Sequence, residues 1–231
     1  RVELACVLGD DAFGLSLSQS CDQLGIGLRH ALRVQAASCV YMAIHDAGGD
    51  MAAAINDMRA MDLMDAAAIG RLPPSGFSLC VLDANLSGQA LVAAAAHMRV
   101  PLMADPVSCE KAPRLLPILP RLHALKPNLM EARHLTGRRT PQEAAAALID
   151  MGVTQVYISL GKDGLYCASA DAQFLLPAPE APPGPATGAG DAMTAGLAHA
   201  IARGLGLREA AHTGLQFARN HLNLKAAEAA K

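Results

Sequence analysis

Short apolar runs alternate along this chain with longer stretches in which apolar positions recur every three or four residues. That alternation predicts a mostly parallel sheet with helices on its faces. Leu79-Cys80-Val81-Leu82 reads as a buried strand, Ser87 can cap a helix running to about Met98, and Val100–Ala104 returns as the next strand. His123–Leu125 is another strand, followed by a helix from Asn128. Thr140-Pro141-Gln142-Glu143 places an N-cap threonine, a proline at the first helical position and a glutamate at the capping-box position. That helix continues through Ala-rich sequence to Gly152, a natural stop, and Val156–Leu160 follows as a strand. Ala192–Arg203 is a strong helix candidate, with Gly204 at its end, and Val2–Leu8 reads as one opening strand.

Two segments read as antiparallel. Val40–Ile44 and Met51–Ile55 flank the turn His45–Asp50, and Leu165–Ala168 pairs with Phe174–Leu176 around Asp171. Pro177–Pro185 is an extended connector, because its prolines cannot join a helix or a central strand. The tail from Ala226 to Lys231 reads as the end of a solvated helix, and no internal repeat is visible.

Composition narrows this picture modestly. A chain of 231 residues is long enough to bury the core of one large domain. Much of the 52% hydrophobic content is alanine, and the net charge of −2 gives no reason to expect nucleic acid or an anionic membrane as partner. Cys6, Cys21, Cys39, Cys80, Cys109 and Cys167 stand singly, without zinc-ligand or disulfide-framework spacing, which reads as reduced thiols in a cytoplasmic protein. No apolar run is long enough to span a bilayer. The first residue is Arg1 and no signal-peptide pattern follows it, so the sequence is expected to begin inside a longer domain.

Candidate chemistry concentrates where the connector meets a helix. Thr187-Gly188-Ala189-Gly190-Asp191 opens into the helix from Ala192. Two glycines there allow the backbone to approach a ligand, and unpaired amides at the positive end of a helix dipole suit a phosphate or a developing anion. A carboxylate at the same mouth can deprotonate an attacking hydroxyl while the amides hold the transferring phosphoryl group. The competing reading makes Asp191 an N-cap and the glycines a tight turn. In Lys126-Pro127-Asn128-Leu129-Met130-Glu131, Asn128 and Glu131 share a helix face and could hold a hydrated magnesium ion, or simply form a capping box. Ser159-Leu160-Gly161-Lys162-Asp163-Gly164 is a strand end running into a turn. It could contact a nucleotide phosphate or merely close a hairpin. Asp105-Pro106-Val107-Ser108 also follows a strand, at the sheet edge where α/β proteins bind ligands. No Walker A or dinucleotide fingerprint is present.

Taken together, KPN-x-x-E, S-x-G-x-x-G and TGAGD with its apolar helix resemble the ribokinase-like, or PfkB, carbohydrate kinases in order and spacing. Leu8-Gly9-Asp10-Asp11-Ala12-Phe13-Gly14 is similar to that family's GxDxxG segment. Ala54-Ile55-Asn56-Asp57-Met58, Asp83-Ala84-Asn85-Leu86-Ser87, Val100-Pro101, Asp105–Ser108, Leu125–Asn128 and Thr187–Ala198 resemble the branch that phosphorylates pseudouridine. The resemblance implies a three-layer α/β/α sandwich with a mostly parallel central sheet and a small lid sheet. It implies transfer of the ATP γ-phosphoryl group to the 5′-hydroxyl of pseudouridine. Asp191 would be the base, with Gly188, Ala189 and Gly190 as the anion hole. Asn128 and Glu131 would be the magnesium-side pair, acting through water. Ser159, Gly161, Gly164 and Thr187 would contact nucleotide, and Asn56, Asp57 and Asn85 would contact the nucleoside. Family members often respond to a monovalent cation such as K+ near the anion hole, and often form homodimers through lid strands.

The family also carries a substrate-binding aspartate in its first strand and a Gly-Gly segment followed by Asn, and neither stands in this sequence. The expectation is one ribokinase-like domain over residues 1–231, without its N-terminal strand and part of its lid, and with weakened nucleoside binding. Two other readings stay open: a ribokinase-like kinase of another nucleoside or sugar, and a nucleotide-binding homologue without turnover.

Overall fold

The computed structural model describes residues 1–45, 51–182 and 187–229. The chain divides into two compact units, one of Arg1–Pro73 with Asn85–His97 and the other of Pro74–Ala84 with Met98–Lys231.

The first unit contains β1 (Val2–Glu3), β2 (Val7–Gly9), α1 (Ala12–Gln23), β3 (Ile26–Gly27), β4 (Leu32–Val34), β5 (Val40–His45), β6 (Met51–Asp57), α2 (Ala66–Gly70) and α3 (Gly88–His97). The single strand expected over Val2–Leu8 is instead two. β1 pairs in parallel with β3 and β2 in parallel with β4, the change of partner falling between Leu4, which donates to Gly27, and Cys6, which accepts from Leu32. The GxDxxG segment is a structural clamp. Asp11 caps α1 through the Gly14 amide at 2.8 Å and accepts from both the amide and the hydroxyl of Ser38 at 2.7 Å. These donors hold the Asp11 carboxyl below its usual range. Side chains on Gly9 or Gly14 would collide with the Ala36–Ser38 backbone or with the Gly9 carbonyl. The expected hairpin is present: β5 and β6 pair antiparallel from Val40↔Asp57 to Ile44↔Ala53. The turn residues Asp46–Asp50 lie outside the described residues. Ser87 caps α3 as expected, accepting from the Ala90 amide at 3.1 Å.

The second unit contains β7 (Cys80–Asp83), β8 (Leu102–Asp105), β9 (Ala124–Leu125), α4 (Leu129–Thr136), α5 (Pro141–Asp150), β10 (Gln155–Ser159), β11 (Leu165–Ala168), β12 (Gln173–Leu176), α6 (Ala189–Ala202) and α7 (Leu207–Ala229). Its six strands form one sheet in the order β12-β11-β10-β9-β8-β7. β7 to β10 run parallel, and the expected β11–β12 hairpin extends the sheet antiparallel with Leu165 opposite Leu176. Both halves of the Thr140–Glu143 capping box form at the start of α5. Met103, Ala124, Tyr157, Leu165 and Cys167 point from one sheet face into Met193, Leu197 and Ala200 of α6 and Ala210, Ala211 and Leu215 of α7. Side chains alternate along a strand, so Val156 and Ile158 point to the opposite face, where α5 packs with Ala144, Ala145 and Leu148 buried. The unit is thus layered helix, sheet, helix.

Of the proline-rich connector, residues 177–182 form no regular element, and residues 183–186 lie outside the described residues. The Ala-rich tail is helical to Ala229, the end of α7, and residues 230–231 lie outside the description. Among the described residues no helix is long and apolar enough to cross a membrane.

Candidate active site

The parallel strands deliver their carboxyl ends to the residues that carry chemistry. α6 begins at Ala189, three residues before the expected Ala192, which changes the role available to Asp191. The N-cap is Gly188, in the left-handed region at φ 85°, where a β-carbon would be strained. No side chain caps this helix, so the amides of Ala189, Gly190 and Asp191 have no carbonyl of their own helix to meet. The Ala192 amide is the first to bond back, to Gly188 at 2.9 Å. Asp191 therefore lies inside the first turn and is not the cap. Its side chain is exposed, and among the described residues it makes no hydrogen bond or ion pair. An accessible carboxylate beside three unspent amides is suited to accepting a proton while an anion is held next to it.

The loop leading into α6 is held from below. His221 of α7 places Nε2 3.0 Å from the Thr187 carbonyl, so that nitrogen carries the proton and donates. A β-carbon on Gly188 would lie 2.6 Å from the same nitrogen. On the other side, Lys126 follows β9 and Asp105 ends β8. The Lys126 ammonium, only 5% exposed as a residue, pairs with Asp105 Oδ2 at 2.9 Å and stands 3.5 Å from the Gly190 carbonyl. The Thr194 hydroxyl lies 2.9 Å from Asp105 Oδ2 and 3.0 Å from the Gly190 carbonyl.

Asn128 and Glu131 form a complete capping box at the start of α4. The Asn128 side chain accepts from the Glu131 amide at 2.9 Å and Glu131 Oε2 accepts from the Asn128 amide at 2.8 Å. Glu131 is only 4% exposed. Burial raises its pKa, and the Asp105 charge raises it further, against the lowering effects of the Asn128 amide and Lys126. The Lys126 ammonium is thus paired with Asp105 and also acts through its field on Glu131.

Ser159 ends β10, its amide donating to the Pro127 carbonyl at 2.9 Å and its hydroxyl 3.5 Å from the same oxygen. Residues 128 and 159 form a parallel bridge, which brings two of the expected nucleotide residues to one open hollow of about 430 Å³. Asn128, Met130, Ser159, Leu160 and Asp163 are among its lining residues. The two glycines of this motif differ. Gly161, at φ 61°, faces open space, whereas a β-carbon on Gly164 would collide with the Leu176 carbonyl.

The expected nucleoside residues belong to the first unit. Asn56 stands exposed in β6 opposite Tyr41. Asp57 is clasped by Arg59, with Nη2 at 2.6 Å and Nε at 2.9 Å, and that guanidinium brings its carboxyl down to about 2. Asn85 is half-buried in the segment before α3. The structure gathers Asp105, Lys126, Asn128, Glu131, Ser159 and the Thr187–Asp191 loop in one unit, and holds Asn56, Asp57 and Asn85 in the other. Reading the sequence for function missed four residues that shape the loop: Asp105, Lys126, Thr194 and His221. The first two stood in quoted motifs and Thr194 lies one helical turn from Asp191, but His221 carried no signal.

Comparison with known proteins shows the family and the fold. The chain is 31% identical over 216 residues to the pseudouridine kinase of Escherichia coli K12, covering 89% of this chain and 69% of that protein. It is 30% identical over 223 residues to an uncharacterized sugar kinase of the same bacterium, covering 91% of this chain and 61% of that one. Among solved structures, Arabidopsis thaliana ribokinase complexed with ribose and ATP superposes with a TM-score of 0.78 at 20% identity, over 94% of this chain and 74% of its own. The fold is therefore the ribokinase-like α/β fold. Residues 1–223 match the pfkB family of carbohydrate kinases, and the chain belongs to that family.

Proposed function

We propose that this chain carries the phosphoryl-transfer machinery of an ATP-dependent kinase whose acceptor is the 5′-hydroxyl of pseudouridine. The observation that carries the reading is the placement of Asp191. It is exposed, without a partner among the described residues, and set in the first turn of α6 beside the amides of Ala189 and Gly190, which no helix carbonyl meets. Asp191 accepts the hydroxyl proton as the oxygen attacks the γ-phosphorus. The bond from that phosphorus to the β–γ bridging oxygen breaks, and ADP leaves with the electron pair. The amides of Ala189, Gly190 and Asp191 are placed to receive negative charge on the transferring group. A protein of this fold holds ribose and ATP together, which supports ATP as the donor. The hollow beside Asn128 and Ser159 is the place we assign to the nucleotide.

The acidic pair Glu131 and Asp105 offers oxygen ligands of the kind magnesium takes. The Glu131 pKa is raised chiefly by burial and further by the Asp105 charge, so a bound cation would hold that carboxylate in its charged form. When bound, the ion would neutralise phosphate charge. Asn128, whose side-chain oxygen already accepts from the Glu131 amide, would join through water. The similarity of residues 54–58, 83–87 and 105–108 to pseudouridine-phosphorylating kinases supports the acceptor, and we assign Asn56, Asp57 and Asn85 to its recognition. The comparable match to a sugar kinase favours one competing reading, a sugar acceptor.

Measuring ATP consumption with pseudouridine, uridine, adenosine and ribose separates these readings. Pseudouridine should give the highest kcat/KM, and a preference for ribose or adenosine would overturn the acceptor. Asp191→Asn should lower kcat by about a hundredfold to ten-thousandfold while ATP still binds. Turnover unchanged in that variant would remove Asp191 from the mechanism.

A further inference from the structure

We infer that Thr194 and Lys126 are positioning residues that set the aim of the anion hole by fixing the Gly190 carbonyl. The inference rests on the phosphoryl-transfer reading of that loop. A peptide group is planar, so fixing the Gly190 carbonyl also fixes the direction of the next amide, that of Asp191. Two side chains converge on this oxygen: the Thr194 hydroxyl at 3.0 Å, whose single proton is shared between it and Asp105 Oδ2, and the Lys126 ammonium at 3.5 Å. Both are tied to one carboxylate, since Asp105 Oδ2 lies 2.9 Å from each. Asp105 and Lys126 come from the ends of adjacent parallel strands, which are among the most deeply buried elements of the unit. The helix mouth is thereby referenced to the sheet and not only to its own loop. A helical Gly190 carbonyl would ordinarily need only the amide four residues on, that of Thr194. Here the hydroxyl of that same residue and a buried ammonium also converge on it.

The lysine contributes charge as well as geometry. A β-carbon placed on Gly190 would lie 3.5 Å from Lys126 Nζ, so the buried positive charge sits directly beneath the bend that is to receive phosphoryl oxygens. That ammonium is already paired with Asp105, so what it adds at the bend is the field of an ion pair, and its effect is larger on a transition state richer in negative charge there. Thr194 supplies no charge and acts through direction alone. The two residues therefore give separable signatures.

The test compares Thr194→Ser, Thr194→Val and Lys126→Met with the wild-type chain. Thr194→Val keeps the shape and removes the hydroxyl. Its kcat should fall between about 10-fold and 100-fold, with KM for ATP within about twofold, and Thr194→Ser should restore most of the loss. Lys126→Met should lower kcat further than Thr194→Val. Amide hydrogen exchange of the peptide spanning residues 187–195 gives a readout that needs no turnover: it should quicken in Thr194→Val and stay at the wild-type rate in Thr194→Ser. Equal kcat in Thr194→Val and wild type, or unchanged exchange in that peptide, would overturn the positioning role. If the wild-type chain phosphorylates none of the four acceptors, the kinase reading fails while the exchange comparison still decides whether the clamp exists.

Discussion

Glu131 shows what a single buried acid does to a site of this kind. Its carboxyl is out of water and within the field of Asp105, and both effects favour the protonated form. A group whose folded pKa lies above its unfolded value adds stability at low pH and loses it as pH rises through the folded value. Replacing Glu131 by Gln keeps an oxygen able to accept from the Asn128 amide and removes the charge. The Tm of Glu131→Gln relative to the wild type should therefore climb as pH rises from 4 to 8, which calorimetry across that range checks. A Tm difference that stayed flat would mean Glu131 titrates as a solvated acid. Magnesium should reverse the preference, since it stabilises the carboxylate and has less to hold in the glutamine variant. Some of this was legible in the sequence and some was not. The spacing of Asn128 and Glu131 predicts one helix face, and the capping box forms on it as one alternative required. What the spacing could not show is that Asp105, 26 positions before Glu131 in the sequence, would end its strand within reach of the same charge.

At the scale of elements, the motif S-x-G-x-x-G divides into a structural half and a half available to a ligand. Gly164 sits at φ 102° under the Leu176 carbonyl, where β11 begins beside the end of β12, so any side chain there must push the two strands apart. Gly161, at φ 61°, lies in the ordinary left-handed region and meets nothing within 4 Å. Gly164→Ala should cost about 2–4 kcal/mol and lower Tm by roughly 5 °C or more. Gly161→Ala should cost about 1 kcal/mol and show itself chiefly as a raised KM for ATP. Thermal melts and ATP saturation curves of the two variants check this, and the reverse pattern would transfer the nucleotide contact to Gly164. The elements themselves were largely readable from sequence, because caps and turns act over a few residues. Thr140, Ser87 and the Asp171 hairpin all stand where local chemistry put them. The start of α6 was misplaced by three residues because Thr-Gly-Ala-Gly-Asp offers an aspartate of the usual capping type. The chain instead caps with Gly188, whose left-handed turn is supported by His221 from α7. No local rule connects residue 188 with residue 221. Tertiary packing decided the boundary.

On the scale of the whole molecule, the residues we assign to the nucleotide and those we assign to the acceptor's recognition fall in different units. The loop of Thr187–Asp191, the Asn128–Glu131 cap and Ser159 all belong to the second unit, whereas Asn56, Asp57 and Asn85 belong to the first. A ligand that binds only the native state stabilises it by an amount set by its concentration relative to Kd, about 2.7 kcal/mol at a hundredfold excess. If the nucleotide occupies the second unit's site, a non-hydrolysable ATP analogue with magnesium should slow amide exchange in peptides covering residues 126–131, 159–164 and 187–194. Those peptides should respond equally in Asp191→Asn, because that variant removes the base and not the amides. Pseudouridine should slow exchange chiefly in residues 53–58 and 85–87. Nucleoside protection confined to the second unit would overturn the assignment of Asn56, Asp57 and Asn85 and place the acceptor's recognition in the unit that holds Asp191. Protection by the nucleotide but by no acceptor would separate a retained nucleotide site from a working kinase, since the clamp of Asp105, Lys126 and Thr194 and the bend at Gly188 lie within the second unit whatever the first unit binds.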